Sequence, residues 1–140
     1  MEKKKRKYFV IENQIMELPV LADKIEKLAE KWKIPDQLIM PLNLVLEEAL
    51  SNIIFYAFHD KMKHEIKISI SHLPGMLLTI KISDDGIPFN PSLQQQPDLT
   101  LPLEERPIGG LGIFLISKIM DSVHYSRRKD LNILTMNKNF

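Results

Sequence analysis

The chain alternates between two hydrophobic rhythms. "KYFVIEN", residues 7 to 13, is dense in aromatic and β-branched residues and predicts a strand. The next segment, "ELPVLADKIEKLAEKWKI", places Leu18, Leu21, Ile25, Leu28 and Trp32 at helical spacing with charges between them, the mark of an amphipathic helix. "IPDQLIMPLNLVLEEALSNIIFYAF" keeps the same period through Leu38, Leu42, Val45, Leu46, Ala49 and Ile53. Pro41 interrupts it, because proline lacks a backbone donor and crowds the preceding turn. The expectation is a kink, or a second helix well formed only from about Met40.

The rhythm then becomes two. Ile66, Ile68 and Ile70 alternate with Lys67 and Ser69, and Leu78, Ile80 and Ile82 alternate with Thr79, Lys81 and Ser83. With "LPG" between them, residues 64 to 84 predict an antiparallel hairpin with one buried face. From Gly86 to Gly109 the pattern disappears, and Pro88, Pro91, Pro97, Pro102 and Pro107 crowd the segment. A connection that long inside a compact domain is usually a lid or a disordered stretch. Periodicity returns at "GGLGIFLISKIMDSV", a glycine-rich lead into an apolar helix, and "VHYSRRKDLNILTMNKNF" predicts two closing strands around a turn near Lys129 and Asp130.

The order β, α, α, β, β, long loop, α, β, β predicts an α+β two-layer sandwich. A mixed, mostly antiparallel sheet would pack against about three helices. The 140 residues are expected to form one domain, 1–140, with a core large enough to need no staples. With 19 basic and 18 acidic side chains, no global field points to nucleic acid. The absence of cysteine removes disulfides, thiolate metal sites and cysteine nucleophiles together. No run reads as approaching the length of a membrane span, and "MEKKKRK" is not followed by a signal-peptide core, so a cytoplasmic protein without membrane contact is expected. The basic start reads as a solvated tail leading into the first strand.

Four places break the binary pattern. Glu48 and Asn52 lie at i, i+4 on one helix face beside Val45 and Ala49. Alone, such a pair reads as a wetted helix rim. "SDDGIPF" ends a strand with Asp84, Asp85 and Gly86, where a hairpin turn is the ordinary reading. No matching strand follows, however. A carboxylate there can accept a hydrogen bond from an exocyclic amine, with Gly86 allowing close approach to the backbone. "GGLGIFL" sets Gly109, Gly110 and Gly112 before an apolar helix, where free backbone N–H groups and the helix dipole suit phosphate, although glycine can also simply end a loop. It is neither a P-loop nor a dinucleotide fingerprint, and the protein-kinase signature residues are absent. Thr135 in "NILTM" is, by itself, a strand threonine.

Taken in this order the four segments resemble the ATP-binding domain of the GHKL superfamily, and more narrowly the small anti-sigma-factor serine/threonine kinases of bacterial partner switching. "LEEALSN" resembles the family's asparagine box, "DDGIPFNP" its first glycine box, "GGLGIFLISKIMDSVHY" its second box with the following helix and strand, and "NILTM" its threonine strand. The similarity covers about residues 8 to 138. It implies a Bergerat-type fold and binding of ATP with Mg²⁺. Matched residue by residue, Asn52 would hold Mg²⁺ and Glu48 would be the general base, while Glu47 faces elsewhere on the helix and receives no role. Asp84 would accept the adenine amine, Gly86 would line its pocket, and Gly110 and Gly112 would meet the phosphates. Thr135 would assist from the sheet. Residues 87–109 would be the ATP lid, with Arg106 its only arginine. Pro88 departs from the family's frequent second glycine and stiffens the start of that lid.

The resemblance further implies phosphorylation of a small anti-sigma-factor antagonist, with sequestration of a sigma factor in another state, and a homodimer. A nucleotide-gated binding module without phosphotransfer is the alternative function. A detached catalytic domain of a histidine kinase ranks behind both.

Overall fold

The computed structural model of the chain describes residues 3–89 and 116–140. Its elements run β1 (Lys5–Glu12), α1 (Glu17–Lys31), α2 (Asp36–Tyr56), β2 (Glu65–Leu73), β3 (Leu77–Asp84), β4 (Ser122–Arg128) and β5 (Leu131–Asn139), with a helical turn at 116–119 before β4. The five strands form one sheet in the order β1-β2-β3-β5-β4, and all four pairings are antiparallel. Both helices lie on one face of it, giving the two-layer sandwich that the element order implies.

Register decides which side chains enter the core, because residues directly opposite each other share a face. Ile70, Ile80 and Met136 make one row across β2, β3 and β5, and Ile68, Ile82 and Leu134 make the next. All six are buried, together with Leu21, Ile25 and Ala29 of α1 and Leu42, Val45, Leu46, Ala49, Leu50 and Ile53 of α2. The next row along that face is Ile66, Asp84 and Asn132, so the apolar ladder ends on two buried polar side chains. A buried polar row is costly unless its members bond one another, and it marks where to look for a site.

Local chemistry shapes the ends of the elements. The chain leaves α1 through Lys33 in the left-handed region (φ 57°), and Ile34 N–H closes back on the Ala29 carbonyl at 2.9 Å. Lys129 and Asp130, with φ of 51° and 64°, make the two-residue turn of the β4–β5 hairpin. Consecutive positive φ values match the twist of such hairpins.

Three sequence expectations change in detail. β1 begins at Lys5, so Lys5, Arg6 and Lys7 pair with His72, Ser71 and Ile70 and are not a tail. β1 is an edge strand, where lysine is well tolerated. α2 is helical from Asp36, four residues before Met40, with Pro41 inside it. Pro41 is the sixth residue of α2, past the first turn, so its missing N–H forfeits the bond to the Gln37 carbonyl and the helix runs on despite that loss. Finally, α2 is long and apolar enough to cross a membrane by length and composition alone, contrary to the reading that no run approaches that size. Glu47, Glu48 and Asn52 break the run by eye without making it short or polar enough to fail. Seven of its residues, including Asn52, are buried within this fold.

Candidate functional site

α2 carries Glu48, Asn52 and Tyr56 at successive i, i+4 positions, so the three share a face, each about 6 Å further along the axis. Asn52 is 1% exposed and its Nδ2 has no hydrogen-bond partner among the described residues. A buried amide left unsatisfied costs roughly 1–3 kcal/mol. That cost is relieved where a ligand or its water completes the bonding. Glu48 is half-buried and Glu47 exposed. Burial pushes the Glu48 carboxyl above its ordinary range, and the Glu47 charge pushes it further the same way. A carboxylate so placed is more basic than a solvated one.

The end of α2 meets the loop that follows β3. The Ala57 carbonyl accepts a hydrogen bond from Ile87 N–H at 2.8 Å, and the Tyr56 and Phe89 rings lie 6.0 Å apart. Gly86 is needed at this crossing for space, since a Cβ there would sit 2.4 Å from the Ala57 carbonyl oxygen. On the other side, Arg127 donates to the Gly86 carbonyl at 2.7 Å. The loop is thus clamped between the helix and the β4–β5 hairpin.

Asp84 closes β3 at 3% exposure. Its Oδ1 accepts from Gly86 N–H at 2.9 Å and from Asn132 Nδ2 at 3.0 Å, and neither bond uses Oδ2. Burial raises the Asp84 carboxyl above its ordinary value; the Asn132 and Gly86 hydrogen bonds hold it down, Asp85 raises it and Arg127 lowers it. A carboxylate whose Oδ2 takes no such bond among the described residues is an acceptor suited to an amine.

Asn132 is the residue that sequence reasoning missed. Besides Asp84, its Nδ2 donates to the Ile87 carbonyl at 2.7 Å, and its Oδ1 accepts from Phe89 N–H at 3.1 Å and from the Tyr125 hydroxyl at 2.5 Å. No signal in the sequence singled it out: three residues before Thr135 it falls on the opposite face of β5, and which face turns inward is decided by the pairing with β3.

That same register corrects the expectation for Thr135. It pairs with Lys81 and His124, in the row that alternates with the buried rows, so it lies on the sheet face turned away from Asp84 and the helices. Period-two alternation puts positions 132, 134 and 136 inward and 135 outward. The structure therefore brings Asp84 and Gly86 together at the end of α2 and aligns Glu48 with Asn52 along that helix. Gly110, Gly112, Arg106 and the expected lid from residue 90 onward lie outside the described residues. A cavity of about 650 Å³ between β1 and α1 is lined by none of these groups, whereas one of about 560 Å³ is lined by Ala57, Gly86, Ile87 and Arg127 at the crossing of α2 and the loop after β3.

Among the described residues no three histidine or acidic side chains assemble to hold a cation. A cation at Asn52 would take its other ligands from phosphate and water, the habit of Mg²⁺. The Asn52 side-chain oxygen is the atom that could meet such a cation, while its unpartnered Nδ2 is a donor suited to a phosphate oxygen or a water, with the half-buried Glu48 carboxylate one turn away.

An antiparallel sheet covered on one face by helices is the α+β two-layer sandwich of histidine kinase-like ATPase domains, and here it carries a buried acid at a strand end with an amide and a carboxylate in register on the covering helix. The chain belongs to the histidine kinase-like ATPase domain family, which matches residues 11–138. It is 28% identical over 109 residues to the serine/threonine-protein kinase BtrW of Bordetella bronchiseptica, covering 78% of this chain and 75% of that protein. It is also 29% identical over 97 residues to the serine-protein kinase RsbW of Bacillus mycoides and 32% identical over 89 residues to that of Listeria innocua. These matches cover 66% and 61% of this chain, but only 59% and 56% of those two kinases. Two solved structures share the fold. One is the histidine kinase domain of the Erythrobacter litoralis EL346 blue-light activated histidine kinase, with a TM-score of 0.52 at 15% identity over 89% of this chain and 59% of that one. The other is the Acinetobacter baumannii histidine kinase AdeS, with a TM-score of 0.50 at 19% identity over 95% and 67%.

Proposed function

We propose that the protein is an ATP-dependent serine/threonine protein kinase of a bacterial partner switch, acting in the cytoplasm on a small anti-sigma-factor antagonist and in another state holding a sigma factor. The observation that carries this is the pairing on α2 of a half-buried Glu48, its carboxyl raised by burial, with the buried Asn52 one turn on, whose Nδ2 has no partner among the described residues and can donate to a phosphate oxygen. Membership of an ATPase domain family and similarity to proteins named serine kinases support the same reading.

In this reading Asp84 accepts the exocyclic amine of adenine and Gly86 lets the base lie close to the backbone. Mg²⁺, when bound, neutralises phosphate charge, and Asn52 is the protein group that would hold it. Glu48 receives the proton of a serine or threonine hydroxyl as its oxygen bonds to the γ-phosphorus. The bond to the β–γ bridging oxygen breaks in the same transfer and ADP leaves. Phosphoryl transfer asks chiefly for positioning and charge stabilisation, so one carboxylate suffices to orient the nucleophile.

Calorimetric titration with ATP, with and without Mg²⁺, tests the binding half, and absence of heat would remove the whole reading. Incubation with Mg-ATP and the cognate antagonist should yield phosphoserine or phosphothreonine. Glu48→Gln should abolish transfer while sparing ATP binding. Transfer by that variant at the wild-type rate would refute the role of Glu48, and partner binding that responds to ATP without transfer would make the protein a nucleotide-gated module.

A further inference from the structure

An amide side chain has two N–H donors and, on its oxygen, two lone pairs. Asn132 uses all four: Nδ2 donates to Asp84 Oδ1 and the Ile87 carbonyl, and Oδ1 accepts from Phe89 N–H and the Tyr125 hydroxyl. A buried side chain with no position left has none for a ligand. Its partners are informative too. Two are backbone groups of the loop after β3, one is the candidate adenine acceptor, and one is a side chain of β4. Among the described residues the loop also bonds from Ile87 N–H to the Ala57 carbonyl and takes a bond from Arg127 on the Gly86 carbonyl.

We propose that Asn132 is the positioning residue of the adenine pocket: it ties Asp84 to the Ile87 and Phe89 backbone so that the carboxylate faces the base through the oxygen Asn132 leaves uncommitted. This rests on the nucleotide reading above. It adds that affinity for the base is set from β5, by a side chain that never touches nucleotide. Tyr125 orients the amide, because a hydroxyl donating to Oδ1 fixes which end of the side chain faces Asp84.

The consequence is chemical as well as geometric. Asn132 donates to the ionised form of Asp84, so its removal favours the protonated acid, which is a poorer acceptor for an amine. Among the described residues the other charged groups acting on Asp84 are Asp85, itself in contact with His64, and Arg127. They stay in place when Asn132 changes.

The test uses Asn132→Leu, close in size and apolar, and Tyr125→Phe, which keeps the ring. ATP affinity is titrated calorimetrically from pH 5.5 to 8.5, and the Asp84 carboxyl is followed by carbon-detected NMR in the nucleotide-free protein. For Asn132→Leu we expect ATP binding weaker by at least tenfold at neutral pH, recovering in part as pH rises, and an Asp84 titration moved upward. Tyr125→Phe should shift both in the same direction by less. Wild-type affinity at every pH, or a loss that ignores pH while Asp84 titrates as in wild type, would overturn the proposal. If wild-type protein binds no ATP, the nucleotide reading fails, yet the Asp84 titration still decides whether Asn132 governs that carboxylate. Should Asn132→Leu fail to fold, an unchanged Asp84 titration in Tyr125→Phe would overturn the proposal by itself.

Discussion

Glu48 and Gly86 show how differently a residue can matter. At Glu48 the relevant property is proton affinity: burial and Glu47 both raise its carboxyl. A general base must be ionised to accept a proton. The kinase rate should therefore fall as pH drops through the raised Glu48 value, at a pH above that of an ordinary carboxylate near 4.3. Glu47→Gln, which removes the like charge, should move that limb downward, measured as kcat against pH with the antagonist saturating. At Gly86 the relevant property is volume. A methyl group 2.4 Å from the Ala57 carbonyl cannot be accommodated without moving the α2 terminus or the loop. Gly86→Ala should destabilise the fold by about 1–3 kcal/mol, as overpacking does, read from chemical denaturation, and should weaken ATP binding more than a Ser83→Ala control. "DDG" alone suggested only that glycine permits close approach. It could not show that the approaching group is this protein's own helix.

At the scale of elements, the connection between α2 and β2 is tied to the end of β3 by one histidine. His64 Nε2 meets Asp60 at 2.7 Å and Nδ1 meets Asp85 at 2.9 Å, while its ring stacks on Phe58 with centroids 4.5 Å apart. The hydrogen bond to Asp60 raises the His64 value most, partial burial opposes it, and Asp85 adds to the rise. Asp60 is lowered, first by His64 and then by the Met62 backbone. The signs follow from linkage. Stability from His64 is fully present below its unfolded value near 6.5, and is lost as pH rises through the raised folded value. Asp60 contributes above its own unfolded value and loses that contribution as pH falls toward its lowered one. Wild type should thus exceed His64→Gln in melting temperature clearly at pH 6, with the gap narrowing by pH 8.5. A constant gap would mean that packing on Phe58, not charge, is what His64 supplies. "HDKMKHE" contains one half of this clip, Asp60 and His64 four residues apart, but not the other, because Asp85 lies 21 residues from His64 in the chain.

For the whole molecule, a ligand that binds only the folded state adds stability by mass action, about 2.7 kcal/mol at a hundred times its dissociation constant. Mg-ATP should raise the melting temperature in proportion to the logarithm of its concentration, and Asn52→Ala should remove the Mg²⁺-dependent part of that rise; an equal rise in the variant would deny Asn52 the metal. The apolar and polar rhythm of the chain determined the element order, the hairpin from 64 to 84, the closing hairpin at Lys129 and Asp130, and the separation of Glu48 from Glu47, because the periods of helix and strand are local and the side chains report them directly. α2 was legible except at its start, where a proline near the first turn cost less than its propensity suggested. Strand order and register lay beyond the sequence, since they arise from pairings between residues as distant as Asp84 and Asn132. That register turned Thr135 outward and carried Asn132 inward to bond Asp84. A slip of one residue inverts every side chain on a strand, so a choice between neighbouring polar residues on β5 could be made only once the sheet had assembled around its core.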